Sequence, residues 1–246
     1  MSEPCFLCDS VAVPVGGLLH LDGPEGHHAA AVRRVRLGEI LLIADGRGKA
    51  VRGPVENIGD GFIDLRVHEQ LAETPPVHHW TVVQALAKSG RDESAVAMLT
   101  ELGVTEIIAW QAARSVVRWE NKTGKGLAKW CTTAREAAKQ ARRFTVPQIS
   151  AATTDEICHR ITTAAQAFVL HEAADSYLAA QPLPVAGEIL FIVGPEGGIS
   201  PEELAQFEAA GATPALLAEH VLRTSTAGVV ALAQAQAMTV GRPSDE

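Results

Sequence analysis

The feature that most constrains the fold is an alternation of short apolar runs and longer helical stretches between residues 80 and 239. Runs predicted as strands lie at 80–87, 105–110, 167–170 and 188–193. Helices are predicted at 91–102, 126–143, 154–163, 201–210 and 225–239. Short apolar runs separated by helices are typical of buried parallel strands covered by helices. This region is therefore predicted to form an α/β domain with a mostly parallel sheet.

A different pattern precedes this region. Three strand-like runs at 38–44, 49–58 and 62–67 are separated by glycine-containing turns, which indicates a small antiparallel β module. A short helical stretch, 25–36, lies ahead of it. Pro75 and Pro76 lack a backbone N–H and are typical of a linker. We place the domain boundary near residue 73, which gives domains 1–72 and 73–246.

Composition and charge narrow the class of protein. The 246 residues are 47% hydrophobic, and no stretch approaches the roughly 18 apolar residues that a membrane span needs. The four cysteines lack regular spacing, and the start of the chain lacks a basic region followed by an apolar run. We therefore expect a cytoplasmic protein without a disulfide framework and without a membrane partner.

The net charge is −8, but the charge is unevenly distributed and the chain contains a basic block. Residues 114–143 contain nine Lys or Arg side chains and two Glu side chains. Such a block is either a solvated helix and loop or a surface that binds phosphates, because local charge captures polyanions better than net charge does. Composition leaves both interpretations open.

Two segments towards the end of the chain carry the clearest chemical pattern. The first is Leu190-Phe-Ile-Val-Gly-Pro-Glu-Gly-Gly-Ile-Ser-Pro-Glu-Glu203, an apolar strand that leads into a glycine-rich turn and a helix start with a capping box. The second is Leu216-Leu-Ala-Glu-His-Val-Leu-Arg-Thr-Ser-Thr-Ala-Gly228. Ligands of open α/β sheets bind at the carboxyl ends of strands, but no Lys-Ser or Lys-Thr follows the glycines as a phosphate-binding loop requires. Taken alone, the glycine-rich turn could be a simple strand-to-helix connection, and the second segment is what favours a ligand-binding role.

Together these segments resemble the ribosomal RNA small subunit methyltransferase E family, which belongs to the SPOUT, or trefoil-knot, RNA methyltransferases. Three more stretches resemble it in the same order, at 27–39, 88–104 and 136–147. The resemblance implies a PUA-like β-barrel that binds RNA, followed by a knotted α/β domain that binds S-adenosyl-L-methionine. It also implies a homodimer that methylates N3 of a uridine in small-subunit (16S) ribosomal RNA, within an assembled or assembling subunit. Methyl transfer from a sulfonium needs no metal, and we expect none.

The resemblance assigns three loops to the cofactor. Their residues are Leu170, His171, Glu172, Gly194, Pro195, Glu196, Gly197, Gly198, Leu217, Ala218, Val221, Leu222, Arg223, Thr226 and Ala227. Arg223 is the leading catalytic candidate, since a guanidinium at a uracil carbonyl would stabilise negative charge as N3 loses its proton. An ion pair with Glu219 is the alternative role. Glu196 is the second catalytic candidate, and His171, Glu172 and His220 remain open as proton acceptors.

Glu136, Gln140 and Arg143 are spaced to share one helix face, which is a candidate RNA surface. Arg135, Lys139 and Arg142 add charge beside it. The predicted RNA-binding residues are Arg33, Arg34, Arg36, Lys88, Arg91, Arg114, Arg118, Arg135, Gln140, Arg142 and Arg143.

The sequence also leaves rival functions open. Ser225 stands where the family usually has a Glu, so a non-catalytic RNA-binding assembly factor is one rival. A knotted methyltransferase that acts on a ribose 2′-OH or on tRNA is another. A nucleotide-binding enzyme is the third, and it is disfavoured by the missing lysine.

Overall fold

In the computed structural model, which describes residues 3–240, the chain divides into two units. The first unit consists of Met1–Pro75 and Arg135–Val146. The second consists of Pro76–Ala134 and Pro147–Glu246. The first unit thus includes a segment from beyond the linker, which the sequence pattern did not suggest.

The first unit contains a six-stranded, mostly antiparallel sheet. Its strands are β1 (Cys5–Leu7), β2 (Leu18–Leu21), β3 (Ile40–Ala44), β4 (Lys49–Gly59), β5 (Phe62–Arg66) and β6 (Glu69–Ala72). The order is β1-β3-β4-β5-β2, with β6 also paired to β4, and only the β1–β3 pair is parallel among the described strands. Helix α1 (Gly23–His27) continues as a π-helix over His28–Arg33. Apolar side chains that alternate along the strands, including Leu41, Ile43, Ile63 and Leu65, form the core.

The second unit contains a six-stranded sheet in which every pair is parallel. Its strands are β7 (His78–Ala85), β8 (Glu106–Trp110), β9 (Gln148–Ala152), β10 (Gln166–Leu170), β11 (Gly187–Val193) and β12 (Thr213–Ala215). The order is β12-β10-β11-β7-β8-β9. Strand β11 lies inside the sheet, and its residues 189–193 are at most 1% exposed, as expected for a parallel strand that is covered on both faces. The predicted α/β fold with a mostly parallel sheet is confirmed.

Five helices accompany these strands. They are α2 (Arg91–Glu101), α3 (Thr123–Ala141), α4 (Thr154–Thr163), α5 (Pro201–Ala209) and α6 (Thr224–Thr239). The expected capping box of α5 is present, with Ser200 and Glu203 bonding each other's backbone N–H. Helix α4 begins with the same arrangement, made by Thr153 and Glu156. Over residues 3–240, no helix is long and apolar enough to cross a membrane.

One predicted helix end was wrong. Helix α3 ends at Ala141, because Arg142 adopts a left-handed conformation with φ of 55°. The backbone N–H of Arg143 then donates to the carbonyl of Ala138 at 2.9 Å, which satisfies a terminal helix carbonyl. Arg143 therefore lies beyond the helix and does not share a helix face with Glu136 and Gln140.

Candidate active site

The candidate site lies where three neighbouring parallel strands end. Strands β12, β10 and β11 are adjacent, and their last residues are Ala215, Leu170 and Val193. Because parallel strands end at the same edge of a sheet, the loops after them converge there. The apolar strands and turn signals seen in the sequence thus bring the two recognised segments together.

Two cavities occupy this edge. The larger has a volume of about 530 Å³ and is lined by the glycine turn 194–198, by residues 221–224, and by Arg91 and Arg114. The smaller, of about 140 Å³, is lined mainly by residues 215–222. Residues 170–172 and Ala227 line both. Every residue predicted to bind the cofactor lines one of these cavities except Thr226.

The glycine turn forms a wall of backbone atoms. A Cβ at Gly197 would lie 3.0 Å from the carbonyl oxygen of Arg114 and 3.2 Å from its Cβ, closer than ordinary van der Waals contact. Gly198 has φ of +73°, a conformation that L side chains rarely adopt. Glycine at these positions therefore allows the turn to pack against Arg114 on the wall of the larger cavity.

Glu196 is held by the loop after β7 and by the first residue of α2. Its Oε1 accepts hydrogen bonds from the backbone N–H of Lys88 at 3.2 Å and from the guanidinium of Arg91 at 3.1 Å. Burial acts to raise the pKa of Glu196, but these bonds and one from its own backbone N–H outweigh burial and hold the pKa below its usual value. A carboxylate with a lowered pKa is a weaker proton acceptor, so this geometry favours a positioning role.

Arg223 differs from Arg91 in its exposure and in its contacts. It is exposed, precedes the first residue of α6 and lines the larger cavity. Within residues 3–240, its guanidinium makes no hydrogen bond or ion pair. The alternative ion pair with Glu219 is therefore not formed, and the side chain is available to an anionic or carbonyl group of a ligand.

A buried hydrogen-bond chain behind Arg223 was missed from the sequence. The Nε2 of Gln84, on β7, donates to Thr224 Oγ1 at 3.0 Å, and Thr224 Oγ1 donates to the carbonyl of Gly194 at 2.7 Å. Gln84 is fully buried. These hydrogen bonds connect Thr224, the residue after Arg223, to Gly194 at the start of the glycine turn. A polar Gln inside an apolar strand was the one available signal.

Most of the residues predicted to bind RNA are exposed, and they fall in both units. Lys88, Arg91, Arg114 and Arg118 belong to the second unit, and the other seven belong to the first. Arg91 and Arg114 line the larger cavity. Lys139, expected to add charge for RNA, has a side chain only 4% exposed and pairs with Glu25 and Glu136 at 2.8 and 2.7 Å. That side chain is unavailable to RNA in this conformation.

A cluster of potential metal ligands lies towards the opposite, amino-terminal edge of the parallel sheet. Side chains of His79, Glu106 and Glu188 have ligand atoms within 4.8 Å of one another. Arg160 bonds both carboxylates at 2.7 Å, and Thr81 donates to Glu188. The guanidinium of Arg160 thus supplies the positive charge that pairs with Glu106 and Glu188, so we interpret the cluster as a salt-bridge network.

Comparison with known proteins defines the class first. Residues 73–236 match a family model described as an RNA methyltransferase domain, and residues 21–67 match one described as an RNA methyltransferase PUA domain. Ribosomal RNA small subunit methyltransferase E from Mycobacterium bovis is 40% identical over 230 residues, covering 91% of this chain and 88% of that protein. The protein of that name from Bacillus subtilis is 26% identical, covering 86% and 87%.

The chain belongs to the ribosomal RNA small subunit methyltransferase E family, as its motifs predicted. Solved structures agree. A methyltransferase from Legionella pneumophila, in complex with S-adenosylmethionine, has a TM-score of 0.86 at 27% identity and covers 97% of this chain and 98% of its own. Methyltransferase E from Neisseria gonorrhoeae, bound to S-adenosyl methionine, has a TM-score of 0.86 at 26% identity and covers 96% and 98%.

Proposed function

We propose that this chain transfers a methyl group from S-adenosyl-L-methionine to N3 of a uridine in small-subunit (16S) ribosomal RNA. The observation that carries the proposal is the Arg223 guanidinium, which makes no ion pair within residues 3–240 and lines a cavity built from three converging strand-end loops. A bound uracil would place a carbonyl beside this cation.

The cavities fit the proposed cofactor. Their combined wall offers the backbone of 194–198 and 215–222 for polar contacts, with Leu170 and Leu222 for apolar ones. The larger volume falls in the range of about 300–1,000 Å³ typical of small-molecule sites. When bound, the cofactor supplies an electrophilic methyl group on a sulfonium.

The described contacts separate the candidates for the proton acceptor. The backbone N–H of Ala173 donates to His171 Nδ1 at 3.2 Å, so this ring nitrogen already accepts a hydrogen bond within the protein. Glu196 is paired with Arg91. Glu172 lines both cavities and makes no ion pair within the described residues, whereas His220 lines only the smaller cavity. We assign proton acceptance to Glu172 and charge stabilisation to Arg223.

RNA contacts extend from this site. Lys88, Arg91, Arg114 and Arg118 would hold phosphates near the target nucleotide, and the exposed arginines of the PUA-containing unit would hold flanking RNA. The target base must leave its stack to reach the cavity. We propose the rRNA of an assembled or assembling small subunit as the substrate, and the cytoplasm as the place where the chain acts.

We also propose a homodimer formed through helix α6. Its sequence is rich in apolar residues, and several of them are only partly covered here, such as Val229, Val230 and Met238. Val221, beside the cavity, is 76% exposed. An apolar surface of this kind marks an interface. Light scattering should report twice the chain mass, and a monomer at micromolar concentration would contradict the dimer.

The function is tested by incubating the protein with radiolabelled S-adenosylmethionine and small ribosomal subunits that lack the modification. Nucleoside analysis of the extracted rRNA should show label in N3-methyluridine. Label in a 2′-O-methylated nucleoside, or transfer to tRNA alone, would establish the rival enzyme. Stable RNA binding without any transfer would establish the non-catalytic factor.

A further inference from the structure

Glu203 is a buried carboxylate that the proposed chemistry does not use. Its side chain belongs to the capping box of α5, and the residue is only 6% exposed. One oxygen, Oε2, accepts from the backbone N–H of Ser200 at 3.1 Å. The other, Oε1, accepts from the backbone N–H of Ala113 at 2.7 Å. The carboxylate therefore bonds two chain segments that are far apart in sequence.

The capping box of α4 shows that a cap alone does not require this second bond. There Glu156 is exposed, and its Oε2 accepts from the backbone N–H and the hydroxyl of Thr153 at 2.7 and 2.9 Å. The same motif at α5 uses one oxygen for the cap and the other for the loop after β8. Comparison of the two capping boxes therefore distinguishes the effect of the Glu203–Ala113 bond from the effect of the cap itself.

Both segments held by Glu203 lead into the larger cavity. Ser200 follows the glycine turn, and Ala113 precedes Arg114. Arg114 Nη1 donates to the carbonyl of Gly197 at 3.4 Å, and the Arg114 backbone packs against Gly197. The positions of the turn and of the arginine thus depend on each other and on the carboxylate that bonds the neighbours of both.

We infer that Glu203 is a positioning residue, whose two oxygens hold the cofactor-binding glycine turn and Arg114 in register. The role in RNA use rests on the proposed function, in which Arg114 binds a phosphate. The role in cofactor binding depends only on the turn. A misplacement of about 1 Å is enough to reduce activity by about two orders of magnitude.

The test compares Glu203→Ala and Glu203→Gln with Glu156→Ala in the full chain. The two alanine variants each lose a capping glutamate, so both should melt at lower temperature. Glu203→Ala alone should raise the Kd for S-adenosylmethionine, measured by calorimetry, by about tenfold, the change expected from one lost charge-assisted hydrogen bond. Glu203→Gln should give a smaller increase in Kd, because the amide oxygen of glutamine can still accept one of the two hydrogen bonds.

A double-mutant cycle tests the route through Arg114. Glu203→Ala and Arg114→Ala should each raise the KM for small subunits, and the second substitution should add little to the first. Wild-type cofactor affinity in Glu203→Gln and in folded Glu203→Ala, or additive KM effects, would overturn the inference. If the unmodified protein methylates no uridine, the proposed function fails, while the comparison of cofactor affinities still decides the role of Glu203 at the turn.

Discussion

Replacing Thr224 by Val should separate the contribution of the hydrogen bonds behind Arg223 to stability from the contribution of packing. Valine has the shape of threonine but lacks the hydroxyl. Thr224 is 6% exposed, and its hydroxyl accepts from Gln84 and donates to Gly194. The substitution removes both bonds. It leaves the amide of Gln84 with its weaker bond to the carbonyl of Ala85 at 3.2 Å.

The magnitude follows from these contacts. Each hydrogen bond contributes about 1 kcal/mol net, and a part-buried carbonyl left unpaired adds a desolvation penalty of about 1 kcal/mol. The free energy of unfolding should therefore fall by about 3 kcal/mol. For a chain of this size, about 2–4 °C of melting temperature accompanies each kcal/mol, which predicts a decrease of roughly 6–12 °C.

Differential scanning calorimetry measures this change, and titration calorimetry measures cofactor affinity on the same sample. Affinity for S-adenosylmethionine should also fall, because the hydrogen bonds of Thr224 hold the glycine turn against the start of α6. Thr132→Val is the matched control, since that exposed hydroxyl donates to the carbonyl of Ala128 within α3. A loss in Thr224→Val no larger than in the control would refute the reasoning.

Three further outcomes are expected. Burial acts to raise the pKa of Glu188, but hydrogen bonds from Arg160 and Thr81, together with the nearby charge of Arg160, outweigh burial and lower the pKa below 4.5. The contribution of this carboxylate to stability is therefore present above pH 4.5 and is lost as the pH falls through the folded-state pKa. The melting temperature of Glu188→Gln should change less over that acid range than the wild-type value. Gly197→Ala should weaken cofactor binding measured by calorimetry, whereas Gly124→Ala, where nothing lies within 4 Å of the new Cβ, should not. Burial raises the pKa of Cys5 to about 11, so iodoacetamide should label the exposed Cys131 first, as peptide mass spectrometry can show.

The long, strongly patterned elements were predictable from the sequence, and the short edge strands were not. Strand β11 contains the continuous apolar run 189–193, so the local sequence pattern identifies it. Strand β12 is three residues long with Pro214 at its centre, and strand β9 has no fully buried residue. Such segments become strands because a neighbour pairs with them, and pairing is not visible in a single sequence.

The candidate site shows the same division. The glycine turn and the Arg223 loop were assigned to the cofactor because their sequences resemble those of the methyltransferase E family, and such motifs are contiguous in the chain. The bonds of Glu203 to Ala113 and of Gln84 to Thr224 join residues 90 and 140 positions apart. Contacts across such separations depend on the strand order, which the motifs alone do not specify.

The most direct test of the central claim is the single-turnover rate of methyl transfer to uridine N3 in Arg223→Ala, measured with saturating cofactor on small subunits. Removing a group that stabilises developing charge should slow the chemical step by about 100-fold or more even when the cofactor is saturating. A wild-type rate in this variant would contradict the account, because the unpaired guanidinium would then have no part in the reaction.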